Sequence, residues 1–233
     1  MKCSVQFGGL THLELSGAVL IYRSPGSVFA TWHDAEISEN EAPRLGPATP
    51  LSHAFVEELA AGLGSSIRPE ILPANVLVRT PEVLVWWTPA VSRRMFFRTG
   101  DELGRICGQM FPQPALVFKV VRSKLWIRAL AKSERPGAST ALKVAPYHNV
   151  NAEGLVCQGS MRSPDGTSVT SMPLWEKAFF ESEFTHVYGG GHLTRHPKGI
   201  AGLWRSIAGR RRFPVESLVD AEETLQQSAE SKE

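Results

Sequence analysis

At 233 residues and 42% apolar content, the chain can bury one sizeable core or two small ones, and its formal charge of +2 argues against a nucleic-acid or anionic-membrane partner. Three cysteines, Cys3, Cys107 and Cys157, stand far apart with no CxxC pair, a pattern that suggests neither a disulfide framework nor a thiolate zinc site. No apolar run approaches the roughly 20 residues of a bilayer span and the first residues lack an export signal, so a cytoplasmic protein without membrane association is expected.

The segment VQFGGLTHLELSGAVLIYRSPGSVFATWHDAEI separates short β-branched and aromatic runs with Gly-Gly, Ser-Gly and Pro-Gly, which predicts consecutive hairpins. Three prolines across residues 39–50 mark a loop. The following SHAFVEELAAGLG sets Phe55, Val56, Leu59 and Leu63 on one helical face, with Ser52 as N-cap and Gly64 just past the end.

Next, EVLVWWTPAVSRRMFFRT reads as two extended pieces split by Thr88-Pro89, with Trp86, Trp87, Phe96 and Phe97 as core or inter-sheet packing. In DELGRICGQM, Leu103, Ile106, Cys107 and Met110 recur at helical spacing until Pro112, which predicts a helix holding Cys107 as an inert core thiol. ALVFKVV, KLWIRALA and TALKVAP then read as three antiparallel strands, joined by a tight turn at Arg122-Ser123 and by SERPGAS. Beyond Cys157, MPLWEKAFFESEF predicts a helix with Pro173 in its first turn, VYGGGHLTRHPKG a flexible glycine loop, and FPVESLVDAEETLQ an amphipathic helix ahead of a polar tail.

The meander delivers the chain into YHNVNAEGLVCQGS, where Asn149 precedes Cys157 by eight residues and Gly154 permits a tight turn between them. Such a turn folds a carboxamide back beside a thiol. An amide donor aimed at the oxyanion formed on attack at an acyl carbonyl is worth about 3 kcal/mol. The flanks Glu153-Gly154 and Gln158-Gly159-Ser160 are polar, which favours an exposed, usable thiolate. On residue types alone, a buried structural thiol and a nucleophile both stay open.

The string also resembles a known motif. In the ubiquitin-conjugating enzyme fold a helix and a β-meander lead into a His-Pro-Asn turn, and the catalytic cysteine follows that Asn by eight residues, behind a Gly and a β-branched residue. Asn149, Gly154, Val156 and Cys157 fall on those positions, with Tyr147-His148 in place of His-Pro and Gln158 in place of the usual leucine. Together with WWTPAVSRRMFF and WEKAFFESEFTH, the region from residue 80 to 190 resembles the PRTRC protein B family, prokaryotic family D of that superfamily.

Pattern and resemblance together imply an α+β fold: an N-terminal mostly-β module with one helix (1–80), a ubiquitin-conjugating-like domain (81–220) and a polar tail (221–233). Within the domain the resemblance implies a helix, an antiparallel meander, an active-site turn and C-terminal helices. It implies that Cys157 carries a ubiquitin-like modifier as a thioester and that Asn149 stabilises the oxyanion, with no cofactor and no metal. It further implies a bacterial plasmid or mobile-element setting, with a ThiF-type adenylating enzyme, a small ubiquitin-like protein and a JAB-type peptidase as partners. An inactive scaffold that keeps the fold and binds those partners is the alternative.

His148 is either a hydrogen-bonding group for the acceptor lysine or the loop backbone, or an exposed turn histidine. His186, in FTHVYGGG, is either an outlying base carried over the thiol by the glycines or a helix-terminal cation. His192 and His196 have the spacing of a helical metal pair, but the glycine flank and Pro197 deny them the helix, so no metal site is expected. GRRRF at 209–213 is a short basic cluster of the solvated kind, and with near-neutral overall charge it does not carry a nucleic-acid function.

Overall fold

The computed structural model describes residues 4–7, 10–36, 44–62, 71–164 and 167–231. The chain divides into two compact units, Met1–Pro69 and Glu70–Glu233. In the first, β1 (Ser4–Phe7) pairs antiparallel with β2 (Leu10–Glu14), and β3 (Gly17–Ser24) with β4 (Ser27–Glu36), the consecutive hairpins that the glycine punctuation predicts. Two short strands, β5 (Arg44–Leu45) and β6 (Thr49–Pro50), add to β4. Helix α1 (His53–Gly62) begins where predicted, because Ser52 Oγ accepts from the Phe55 backbone N–H at 3.1 Å and so satisfies one of the helix's open donors.

The apolar face of α1 is not a core face. Val56 and Leu59 are exposed, and the half-buried Phe55 supplies the packing, its ring 4.6 Å from that of Trp32. Helical spacing marks residues that share a face without obliging that face to be covered. Leu63 and Gly64 lie outside the described residues.

The second unit is built on a six-stranded antiparallel sheet. Its strands are β7 (Val76–Arg79), β8 (Val83–Thr88), β12 (Ala115–Val121), β13 (Lys124–Leu130), β14 (Ala141–Val144) and β16 (Asp220–Thr224), in the order β16-β14-β13-β12-β8-β7. Between β8 and β12 the chain forms β9 (Ser92–Arg94), β10 (Phe96–Phe97) and β11 (Met110–Pro112), with β9 paired to β11. The predicted meander β12-β13-β14 is the centre of the sheet, and Arg122, at φ +57, turns β12 into β13.

Period-two alternation then sorts the side chains. Leu125, Ile127 and Ala129 enter the principal core, whereas Leu130 joins a smaller cluster with Val85, Val117, Leu142 and Leu225. Helices α2 (Met172–Phe180) and α3 (Gly199–Ile207) supply Trp175, Phe179, Leu203, Trp204 and Ile207 to the principal core. Trp86 stacks on Phe118 at 5.1 Å, as core packing requires, and Phe97 is buried with it.

Several expectations need correction. DELGRICGQM is not a helix: only Gly104–Ile106 turns, as a 3-10 helix, and Met110 already belongs to β11. Asp101 Oδ1 accepts from Thr99 Oγ1 and from Leu103 N, which closes a tight turn in place of a longer helix, and Leu103 alone is buried there. Cys107 is therefore exposed, not a core thiol.

FPVESLVDAEETLQ is likewise not one helix. After a 3-10 turn at Val215–Ser217 it forms β16 on the outer edge of β14, and helix α4 (Leu225–Glu230) follows. Pairing the exposed edge of β14 outweighs local helix preference. Helix α4 starts at a capping box, with Gln227 N donating to Thr224 Oγ1 and Thr224 N to Gln227 Oε1. Residues 225–231, read from sequence as part of a polar tail, are tied to the sheet, with Lys119 Nζ of β12 donating to Ser228 O at 2.7 Å and to Ser231 O at 3.0 Å. Finally, α3 occupies a stretch beyond the glycine loop for which no helix is predicted.

Candidate functional site

Tyr147 to Cys157 forms a small hairpin laid against the free half of β13. Cys157 N donates to Asn149 O at 2.8 Å, Val150 pairs with Val156, and Asn151 N donates to Leu155 O at 3.1 Å. β14 pairs with Arg128 and Ala129, while the returning arm of the hairpin takes the earlier part of the strand: Ile127 N donates to Gly154 O at 2.8 Å and Val156 N to Leu125 O at 2.9 Å. The hairpin extends the sheet and places Cys157 one residue past its end.

The tip of this hairpin depends on Gly154. It has φ +86, and a Cβ there would come within 2.9 Å of the Ile127 carbonyl oxygen, so both backbone conformation and space demand glycine. Asn151 closes the turn twice over, accepting from Gly154 N at its carbonyl and from Leu155 N at its side-chain oxygen.

The Tyr147 side chain anchors the hairpin base. It is buried among Phe179, Phe184 and Trp204, its hydroxyl donates to Gln113 Oε1 at 2.8 Å, and burial pushes its phenol far above the usual range. Cys157 itself is half-buried, followed by exposed Gln158, Gly159 and Ser160. Gln158 Nε2 ties this exit to Ser123 O and Ser163 Oγ, each at 3.1 Å.

Asn149 is buried, and its amide clasps a second segment: Nδ2 donates to Glu183 O at 2.8 Å and Oδ1 accepts from Thr185 N at 3.3 Å. That segment includes β15 (Glu183–Phe184), which pairs parallel to β10, and Glu183 N donates to Ser160 Oγ at 3.0 Å. The Asn side chain therefore binds the two sides of the site, with one of its two amide hydrogens engaged at Glu183.

The glycine loop folds back over the hairpin. Tyr188 N donates to His148 O at 2.7 Å, and Cβ atoms on Gly189 or Gly191 would each lie 3.2 Å from the side chains of Asn151 or Ala152. His186 is exposed on this loop, and among the described residues its ring hydrogen-bonds Thr185 Oγ1 at 2.9 Å. The structure thus joins His148, Asn149 and Cys157 in one hairpin and lays the His186 segment alongside.

His148 is not an exposed turn residue. It is buried with its ring edge-on to Phe97, and its Nδ1 has no hydrogen-bond partner among the described residues. Burial holds its pKa down at about 4; Asp101 opposes the shift and His186 adds to it. A neutral ring that holds its shape, with its backbone carbonyl receiving Tyr188, is the role this environment supports.

The sign of the pH effect follows. The unfolded chain, with histidine near 6.5, takes up this proton before the folded chain does, so the contribution is intact above about pH 6.5 and lost between about 6.5 and 4. The loss runs at about 1.4 kcal/mol per pH unit and approaches roughly 3 kcal/mol at the acid end. Urea midpoints measured from pH 7 to 4.5 should fall more steeply for the wild type than for His148→Leu, and parallel curves would remove histidine from the acid response.

Arg128 and Glu223 complete the surroundings and cannot be picked out from sequence. Arg128 alternates with core residues on a strand and so reads as solvent-facing, yet its side chain lies beneath the hairpin tip, and Glu223 reaches it from β16. Among the described residues no cluster of three or more His, Cys, Asp or Glu is placed to hold a metal ion, and no helix is long and apolar enough to cross a membrane. A family model described as prokaryotic E2 family D matches residues 52–221, from the residue before α1 into β16. No curated protein and no solved structure matches the chain.

Proposed function

Given that the chain belongs to prokaryotic E2 family D and is thereby ubiquitin-conjugating-like, we propose that Cys157 carries a ubiquitin-like modifier as a thioester. The observation that carries this reading is the 2.8 Å main-chain bond from Cys157 N to Asn149 O, which brings the backbones of these two residues together at the end of a braced hairpin where the thiol is half-buried. Cys157 Sγ attacks the activated C-terminal carbonyl of the modifier, forming the S–C bond as the activating group departs and the thiol proton passes to solvent. An amine then attacks the thioester, and Cys157 leaves as a thiolate.

In this scheme the second amide hydrogen of Asn149 serves the oxyanion while the first holds Glu183 O. His186, exposed on the adjoining loop, is the base that accepts the proton of the attacking amine. His148 supports the hairpin from beneath and does not titrate near neutrality. The partners are an adenylating enzyme of the ThiF type, the modifier, and a JAB-type peptidase, working in the cytoplasm of a bacterium that carries the system on a plasmid or other mobile element. An inactive scaffold would tolerate a thiol sealed in a dry core; the partial exposure of Cys157 favours the enzyme.

Mixing the purified protein with its adenylating enzyme, modifier and ATP tests the proposal: a dithiothreitol-sensitive adduct is expected on the wild type, and its absence with an active adenylating enzyme returns the scaffold reading. Asn149→Ala should slow transfer from the thioester by roughly 10²-fold or more. It also removes the clasp to Glu183 and Thr185, so thermal unfolding must be measured alongside. A transfer rate that falls only as far as stability does would make Asn149 a brace alone.

A further inference from the structure

Arg128 makes two contacts of 2.5 Å from a side chain that is 9% exposed: Nε to Glu223 Oε1 and Nη1 to the carbonyl oxygen of Ala152. The guanidinium also covers Gly154, where a Cβ would lie 3.2 Å from Nε and 3.3 Å from Cζ. It occupies the room a side chain at 154 would take and reaches past it to the hairpin tip. Glu223 arrives at this point through an irregularity: β16 pairs Asp220 with Lys143 and Thr224 with Ala141, so two extra residues bulge out, with Glu222 at φ +57.

The local bonds of Asn151 close the turn but do not set its height above the sheet. That height is set by the two main-chain bonds to β13 and by Arg128. Because the two arms of the hairpin are cross-bonded as far as Asn149 and Cys157, a displacement at Ala152 is carried to the thiol. We infer that Arg128 is a positioning residue for Cys157, with Glu223 as the counter-ion that fixes the guanidinium; the inference rests on the thioester reading of that thiol. A planar guanidinium presents donors in two directions at once, one toward the carboxylate and one toward the carbonyl. A lysine ammonium can keep the ion pair but cannot serve both acceptors in that geometry.

The test uses the full chain with Cys3 and Cys107 replaced by serine, so that Cys157 is the one thiol left. In this background Arg128→Lys should retain most of the thermal stability, because Glu223 stays paired. Freed of its clamp, the hairpin should expose the half-buried thiol, and iodoacetamide should alkylate Cys157 about threefold faster or more. Adduct formation with the modifier, which needs an aligned thiol, should fall by roughly tenfold. This opposition of sign is what a purely structural role would not produce. Glu223→Gln, which still offers the guanidinium an acceptor, should lie between wild type and Arg128→Lys in both measurements.

Unchanged alkylation in Arg128→Lys overturns the inference, and so does a parallel fall in adduct and thermal midpoint with no gain in alkylation. Failure of the wild type to form any adduct strikes the thioester reading instead, and the alkylation comparison still decides whether Arg128 holds the thiol in place.

Discussion

Cys157→Ser is expected to leave an adduct that resists dithiothreitol and yields to hydroxide, or no adduct at all. Serine preserves the size and approach of the nucleophile, but it is a far weaker nucleophile at neutral pH, and any ester it forms expels an alkoxide in place of a thiolate. The wild-type adduct should vanish with reductant, and Cys157→Ala should form none. A reductant-sensitive adduct that survives unchanged in Cys157→Ala would move the chemistry to another thiol. Cys107 would then be the first to examine, because the structure leaves it exposed. Gel mobility with and without reductant, followed by peptide mapping, separates these outcomes.

The largest effect on stability is expected from Trp204→Ala. Trp204 is fully buried, its ring within contact range of Tyr147, Phe111, Phe213 and Phe97, and its Nε1 donates to Pro146 O at 2.7 Å. Truncation should cost about 3–5 kcal/mol through the cavity it leaves. The Pro146 carbonyl, left buried without its donor, adds about 1 kcal/mol or more. Against a total stability of about 5–15 kcal/mol for a typical domain, that is enough to threaten folding at growth temperature. Trp204→Phe retains most of the volume and should cost about 1–3 kcal/mol, chiefly at Pro146. Since Pro146 immediately precedes the hairpin that carries Cys157, the milder variant should also disturb the site. A loss below about 2 kcal/mol for Trp204→Ala, read from urea unfolding, would mean that α3 opens independently of the sheet.

Some of the departures from expectation had a local signal. Ile200, Leu203, Trp204 and Ile207 recur at i, i+3, i+4 and i+7, a helical face that the surrounding glycines obscure. Thr224 and Gln227 carry the spacing of a capping box, which starts a helix at Leu225 and not at Phe213. The exposure of Cys107 had no such signal: its helical spacing with Leu103 and Ile106 is real, and a hydrogen-bonded turn at Asp101 decides against the helix.

Sequence by itself determined the central meander, the consecutive N-terminal hairpins, the starts of α1 and α2, and the turn at Gly154 that folds Asn149 and Cys157 together. All of these rest on interactions within a few residues: period-two alternation, the Ser52 cap of α1, Pro173 in the first turn of α2, and a backbone conformation open to glycine. The family follows from the same short motif, and the match over 52–221 bears it out. Only the tertiary structure decided that FPVESLVDAEETLQ becomes an edge strand, that His148 is buried and neutral, that Asn149 clasps Glu183, and that Arg128 lies under the hairpin with Glu223 as its partner. In each case the deciding partners lie at least 24 positions away in the chain, and the energy at stake is the desolvation of a polar group or an unpaired strand edge, which no local pattern encodes.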